Sequence, residues 1–248
     1  MTAAPLLAVD WPAPAGVHAF TTSRRGGVSE PPYHSLNLST SSGDDALPVA
    51  HNVRALVASA GLPESPRWPR QVHGTRVLAS EAVTDGESEA DAVYTTRART
   101  VCTVRTADCL PVLLCDRNAS VVAAAHAGWR GLAAGVLEAT VSALPVPPEC
   151  LMAWLGPAIG PGAYEVGDEV RAAFLDRDAQ ATGAFRPSPA GRWLADLYAL
   201  ARRRLHQAGV LDTHGGGWCT HDQDELFFSY RRDGVTGRMA SGIWLAGR

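Results

Sequence analysis

The stretch Ala124-Ala-His-Ala-Gly-Trp-Arg-Gly131 joins a strand-like run to a helix-like run through a turn that carries His126 and Arg130. Upstream, Ser120-Val-Val-Ala-Ala-Ala125 is small, apolar and partly β-branched, the composition of a buried strand. Downstream, Leu132, Val136, Thr140, Val141 and Leu144 recur at helical spacing. A polar turn set between two such elements is a place where a fold displays chemistry, because the scaffold on either side holds it still.

Outward from this corner, the composition is that of a compact enzyme. The chain has 248 residues and 46% hydrophobic content, enough to bury a large core. A net charge of -3, with no basic tail or like-charged run, gives no electrostatic case for nucleic acid or an anionic membrane as partner. Small neutral or mildly anionic molecules are the expected partners. The first ten residues lack the basic region of a signal peptide, and no apolar stretch approaches the ~20 residues of a spanning helix. Five cysteines, an odd number without repeated spacing, argue against a secreted disulfide framework and for a cytoplasmic protein.

The first 45 residues are rich in turn formers, and residues 48–60 read as a first helix with Val49, Val53, Leu56 and Val57 on one side. After a proline-containing patch at 61–69, strand-like runs follow at 75–79, 92–95, 101–106, 111–115, 120–125 and 151–155. The C-terminal half reads as more helical. Helices are expected at 167–176 and at 193–208, the second ending at Gly209. No linker longer than a loop divides the chain. The expected fold is α+β, a single layered domain over residues 1–248 with mixed β-sheets flanked by helices.

Chemistry concentrates in Gln71-Val-His-Gly74, in Thr106-Ala-Asp-Cys-Leu-Pro111 and at His126. Two imidazoles and a thiolate, from His73, His126 and Cys109, suit zinc, and three protein ligands leave a fourth tetrahedral position open, as in catalytic sites. The separations, 36 residues from 73 to 109 and 17 from 109 to 126, match no short zinc-finger pattern. Each member also has an ordinary structural reading: a buried inert thiol for Cys109, a turn residue for His73, a core histidine for His126. Asp108 and Pro111 count against a plain central strand around Cys109, because a charge and a missing N–H are awkward there. Arg130 precedes a helix-like run and is a candidate for gripping phosphate or, equally, a surface salt bridge. Arg24 and Arg25, before Gly26-Gly27, form a second cationic loop or a simple hairpin turn.

Taken together, Phe20-Thr-Thr22, Arg24-Arg-Gly-Gly-Val-Ser29, Ser35-Leu-Asn-Leu38, Gly43-Asp-Asp45, Gln71-Val-His-Gly74, Ala107-Asp-Cys-Leu-Pro111 and His126-Ala-Gly-Trp-Arg-Gly131 resemble the YfiH or laccase-domain family. Gly156-Pro-Ala-Ile-Gly-Pro161, Tyr164-Glu-Val166 and Phe227-Phe-Ser-Tyr-Arg-Arg-Asp-Gly234 continue the resemblance over essentially the whole chain. It implies a layered fold similar to cytotoxic necrotizing factor catalytic domains and a metal, usually zinc, on His73, Cys109 and His126. It also implies activity on purine nucleosides: phosphorolysis of adenosine or inosine to base and ribose 1-phosphate, with deamination of adenosine. Two alternatives come with the family. One is a cysteine- or metal-dependent hydrolase that removes L-serine from UDP-MurNAc-L-Ser in peptidoglycan editing, with Cys109 as nucleophile and His126 as its base. The other is a copper-dependent polyphenol oxidase, copper binding at the same donors.

For the purine reading, Arg24, Arg130 and Gln71 are the expected substrate and phosphate contacts, and Asp108 the group that moves protons. Two departures stand out. Ser41 occupies a position where many members carry histidine, and Gly162-Ala163 replace a Cys-Cys pair.

Overall fold

The computed structural model describes residues 5–247. In chain order the regular elements are β1 (Leu6–Leu7), β2 (Val17–Thr22), α1 (Ala46–Ala60), β3 (Val77–Ala79), β4 (Ala92–Thr95), β5 (Val101–Thr106) and β6 (Leu110–Asp116). Next come β7 (Val122–Ala127), α2 (Trp129–Ala134), α3 (Val136–Ala143), β8 (Leu151–Leu155), β9 (Glu165–Val166) and α4 (Asp168–Leu175). The chain closes with β10 (Phe185–Pro187), β11 (Trp193–Ala195), α5 (Leu197–Gln207), β12 (Asp212–Gly215), α6 (Tyr230–Asp233) and β13 (Met239–Leu245).

The strands form a six-stranded sheet, β12-β8-β6-β7-β4-β3, a four-stranded sheet, β1-β2-β13-β5, and a small three-stranded sheet, β10-β11-β9. In the large sheet the two outer pairs, β12 with β8 and β3 with β4, are parallel and the inner pairs antiparallel, so the sheet is mixed. Its inner strands are buried on both faces, which is why β6 and β7 read as continuous apolar runs.

The period-two alternation of side chains assigns each face. Leu110, Val112 and Leu114 of β6, with Ala123, Ala125 and Ala127 of β7, pack against α3, α4 and α5. Leu113, Cys115, Val122 and Ala124 point the other way and meet Cys102, Val104 and Ile243 of the four-stranded sheet. That second sheet buries its far side, Phe20, Val101 and Trp244, against Leu36, Leu38 and Leu56, the last from α1. The layers therefore run helix, sheet, sheet, helix, and the α+β reading holds. By the same parity His126 belongs to the inter-sheet face at the end of β7, and Cys109 to that face just before β6.

Three local expectations are corrected. The helix after the corner is two helices, because Gly135 at φ 106° breaks the run after Ala134, and Leu144 caps the second instead of belonging to it. Trp193 and Leu194 lie in a strand; the Asp196 side chain accepts the Ala199 N–H and starts α5 four residues later than the apolar periodicity suggests. The C-terminal half is the more helical one, but it also carries strands β9 to β13 that no apolar run announced, and β13 lies inside the four-stranded sheet.

Pro111, awkward for a central strand in the sequence, is tolerated in β6 for a visible reason. Its carbonyl accepts the Gly156 N–H just beyond the end of β8, so its missing N–H falls outside the β8 ladder. The Gly156 carbonyl that would have faced it accepts the Tyr198 hydroxyl at 3.2 Å.

Candidate metal centre

His73, Cys109 and His126 come from three separate segments, and their ligand atoms lie within 4.8 Å of one another. His126 is brought there by β7 and Cys109 by the β5–β6 connection. His73 comes from a loop in which it adopts φ 59°, a left-handed conformation that non-glycine residues seldom hold without compensating bonds. The two imidazole rings meet edge to face at 4.8 Å. Gly128 makes the convergence sterically feasible. A Cβ there would lie 2.6 Å from His73 Nδ1 and 3.0 Å from Cys109 Sγ.

The compensating bonds come from Asp91, a residue that the sequence reading did not single out. It lies one position before β4, is fully buried, and ties the triad together. One carboxylate oxygen accepts the His73 N–H at 2.9 Å and faces His126 Nδ1 at 2.8 Å. The other accepts the N–H groups of Val72 at 3.1 Å and Gly74 at 2.7 Å. The Asp91 carbonyl in turn accepts the His126 N–H at 2.7 Å. With Nδ1 engaged by a carboxylate, Nε2 of His126 is the nitrogen left for the triad, the arrangement by which proteins fix metal-binding imidazoles.

The electrostatics fit that arrangement. Burial would raise the Asp91 pKa, but hydrogen bonds from His126, Gly74 and Val72 outweigh it and hold the carboxyl below its usual range. Burial and the neighbouring His126 push His73 down, towards the neutral imidazole that ligates metals. Burial alone would also lower His126, but the charge of Cys109 and the Asp91 hydrogen bond reverse this and carry it up to about 9, so the metal-free imidazole keeps a proton that a bound ion would displace. A buried imidazole, an imidazole at the surface and a thiol form a donor set suited to zinc or copper, and the residues present fit such an ion.

The triad lies on the wall of a cavity of about 1000 Å³ whose lining includes Trp68, Arg70, Arg105, Tyr164, Tyr230 and Arg238. Of the expected site residues, Asp108 and Arg130 also line it. Asp108 sits at φ 89°, with one carboxylate oxygen accepting the Thr220 hydroxyl at 2.6 Å and the other the Arg231 N–H at 2.7 Å. Arg130 is exposed, its guanidinium 4.4 Å from the centre of the Trp129 ring, and it pairs with no carboxylate among the described residues. Because α2 spans only six residues, this guanidinium, and not a long helix dipole, is the positive feature there.

Gln71 reaches the cavity, but its amide is committed to the backbone of Arg105, donating to the carbonyl at 2.8 Å and accepting the N–H at 2.9 Å. It prolongs the edge of β5 and so positions Arg105. Arg24 is not brought to the site. Its guanidinium donates to the carbonyls of His34 and Asp224, both at 3.0 Å, and lies over Phe228, which makes it a clasp between two loops. Arg25 pairs with Glu225 at 2.7 Å in the same way.

Of the two departures, Ser41 lines the cavity and shares a hydrogen bond with Ser39 at 2.7 Å. Gly162 faces open space. Asp91 and Arg105 had a signal in the sequence: each is a charge set in or beside an otherwise apolar strand-like run.

The family model described as multi-copper polyphenol oxidoreductase laccase matches residues 18–246. The chain is 54% identical over 240 residues to the purine nucleoside phosphorylase YfiH of Escherichia coli, covering 97% of this chain and 98% of that one. A Pseudomonas aeruginosa protein also named purine nucleoside phosphorylase is 53% identical over 96% of this chain and 98% of its own length. Among solved structures, a Neisseria meningitidis protein superposes with a TM-score of 0.94 at 50% identity, covering 98% of this chain and 99% of that one. YlmD from Geobacillus stearothermophilus does so with a TM-score of 0.85 at 32% identity, over 96% and 94%. Matched along nearly its whole length by model, relatives and structures, the chain belongs to the YfiH family of laccase-like domains.

Proposed function

We propose that this chain is a zinc-dependent purine nucleoside phosphorylase that also deaminates adenosine. The observation that carries the reading is the convergence of three ligand atoms within 4.8 Å on the wall of a substrate-sized cavity that Arg130 also lines. The names of the relatives support the nucleoside as substrate. Zinc held by His73, Cys109 and His126 would supply Lewis-acid chemistry at its open position.

The chain's own residues provide the rest. Asp91 holds the His126 imidazole and the His73 loop in place. Arg130, braced over Trp129, grips phosphate so that one oxygen can attack the anomeric carbon of ribose as the bond to the purine nitrogen breaks and its electron pair leaves with the base. Thr220 and Arg231 occupy one lone pair on each Asp108 oxygen, and the remaining pairs let this carboxylate accept and pass on a proton. Tyr164, whose phenol burial pushes well above its usual pKa, stays neutral beside them. All five thiols are unpaired, which supports a reducing cytoplasmic setting.

Turnover of adenosine and inosine with and without phosphate, by zinc-loaded and chelated protein, tests the proposal. Phosphate-dependent ribose 1-phosphate is the expected product, and its absence from zinc-loaded protein together with an absence of inosine from adenosine would sink it.

One observation favours the hydrolase alternative. Asp91 engages His126 Nδ1 at 2.8 Å, and Cys109 Sγ lies within 4.8 Å of the imidazole's ligand atom, so carboxylate, imidazole and thiol follow in the order of a nucleophilic cysteine with an oriented base. In that reading the Cys109 thiolate would attack the amide carbonyl that carries L-serine, the C–N bond would break as His126 protonates the departing amine, and water would then hydrolyse the thioester and free Cys109. Alkylation separates the two: protection of Cys109 by stoichiometric zinc, with activity lost on chelation, supports the metal, whereas activity that rises on chelation supports the nucleophile.

A further inference from the structure

Two arginines of the cavity hold their charge without a carboxylate. Arg105 projects from β5, its guanidinium 5.0 Å from the centre of the Trp68 ring and one nitrogen donating to the Leu38 carbonyl at 3.4 Å. Arg238, immediately before β13, donates to the carbonyls of Thr236 and Gly237 at 2.8 and 3.0 Å and lies 6.0 Å from the Tyr230 ring centre. Neither forms an ion pair among the described residues, whereas Arg70 on the same wall is paired with Glu89 at 2.5 Å. The carboxylate whose charge reaches Arg105 is Asp85, and one of its oxygens already accepts the Trp68 N–H at 2.7 Å.

Ala240 pairs with Arg105 across the ladder of β13 and β5, so Arg238, two residues earlier, lies on the same face as Arg105; both line the cavity and both are half-buried. Burial pushes Arg105 down to about 10 and lowers Arg238 as well. Two adjacent, partly desolvated cations destabilise each other unless an anion lies between them. Most of their N–H donors are uncommitted, and the planar fork of guanidinium matches phosphoryl oxygens in pairs. Arg130 comes from the start of α2, next to the end of the six-stranded sheet, whereas Arg105 and Arg238 belong to β5 and the approach to β13 of the four-stranded sheet. The two cationic groups therefore enter the cavity from different layers of the fold.

We propose that Arg105 and Arg238 form a second anion subsite of the cavity, separate from Arg130, that binds a phosphoryl group, brought either by inorganic phosphate or by a phosphate ester of the nucleoside. This rests on the cavity being the substrate site, as proposed above. Gln71 then acquires a role as the positioning residue of Arg105, through the paired bonds to its backbone.

The test is calorimetric titration of the full-length chain with inorganic phosphate, adenosine and adenosine 5′-monophosphate, for the wild type and for Arg105→Gln, Arg238→Gln and Arg24→Gln. In the wild type, phosphate or the monophosphate ester should bind. Arg105→Gln and Arg238→Gln should each weaken that binding by at least about ten-fold, the factor carried by one lost charged hydrogen bond. Arg24→Gln should bind like wild type, and adenosine binding should be the same throughout.

Weakening of inorganic phosphate alone identifies the free ion as the occupant. A monophosphate that binds more tightly than adenosine, with the gain lost in the variants, identifies the ester. Should either variant misfold, arginine-selective dicarbonyl labelling of the wild type decides, since inorganic phosphate or adenosine 5′-monophosphate must protect Arg105 and Arg238. The proposal is overturned if neither anion binds the wild type, if both folded variants bind as the wild type does, or if labelling of these arginines ignores both anions. Turnover is scored separately: an absence of ribose 1-phosphate with anion binding intact would remove the phosphorolysis reading and leave the subsite.

Discussion

Replacing Asp91 by Asn keeps the size of the side chain and removes half of its acceptors. Each carboxylate oxygen takes two donors: the His73 N–H and His126 Nδ1 on one, the N–H groups of Val72 and Gly74 on the other. An amide nitrogen in place of either oxygen opposes donor to donor, so two bonds are lost whichever way the Asn turns. At roughly 1.5–3 kcal/mol for a hydrogen bond to a charged group, the loss reaches about 3–6 kcal/mol, an upper bound because neighbours relax. For a chain of this length each kcal/mol corresponds to about 2–4 °C in Tm, so the metal-free variant should melt well below the metal-free wild type.

The metal should feel it too. Groups that orient a ligating imidazole contribute about 10–100-fold in affinity, or roughly 1.4–2.7 kcal/mol. Competition against a chromophoric chelator measures the zinc Kd, and differential scanning of the chelated protein measures Tm. A variant that melts like wild type and binds zinc equally well would refute the reasoning, since Asp91 would then be holding neither the His73 loop nor the His126 ring.

Other outcomes follow from the same geometry. Gly128→Ala places a methyl carbon 2.6 Å from His73 Nδ1, so zinc affinity should fall by at least about ten-fold while the circular dichroism spectrum stays wild type. Asp116 is fully buried and accepts bonds from the N–H groups of Asn118, Ser120 and Val121 and from the Ser120 hydroxyl, closing the β6–β7 turn. Burial would raise its pKa, but those bonds outweigh it and depress it. Its stabilisation is therefore complete above the unfolded carboxyl value near 4 and disappears as pH falls through the folded value. Asp116→Ala should cost about 2–4 kcal/mol in urea unfolding at pH 7, and the gap to wild type should narrow at pH 3. Arg24→Gln should leave the KM for phosphate unchanged, because its guanidinium is spent on loop carbonyls. Copper-loaded protein should oxidise phenols only while copper remains bound, and exchange for zinc should abolish that activity.

The parts of the fold that were legible in the sequence are those where one physical cue dominates. β4, β5 and β8 begin and end where their runs of apolar and β-branched residues do, since nearly all of their positions are buried. The start of α5 was not legible. Trp193, Leu194 and Leu197 continue a helical periodicity, but a side-chain cap at Asp196 decides where the helix begins. Strands of two or three residues, such as β9 and β11, carry too few positions to show any period, and their pairing is a tertiary event.

At the site, His73, Cys109 and His126 were recoverable because their residue types are chemically distinctive. Asp91 was not singled out, since its work is done by four hydrogen bonds reaching 17 to 35 positions along the chain. Arg24 misled for the complementary reason. A cationic glycine-rich loop in sequence is also what a clasp between two loops looks like.

His73, Cys109 and His126 should hold one zinc at the wall of the cavity. Zinc-edge X-ray absorption on stoichiometrically loaded protein tests it most directly. The expected coordination sphere has one sulfur and two imidazole nitrogens, and it loses the sulfur in Cys109→Ser. A shell without sulfur in the wild type, or one unchanged by Cys109→Ser, would contradict it.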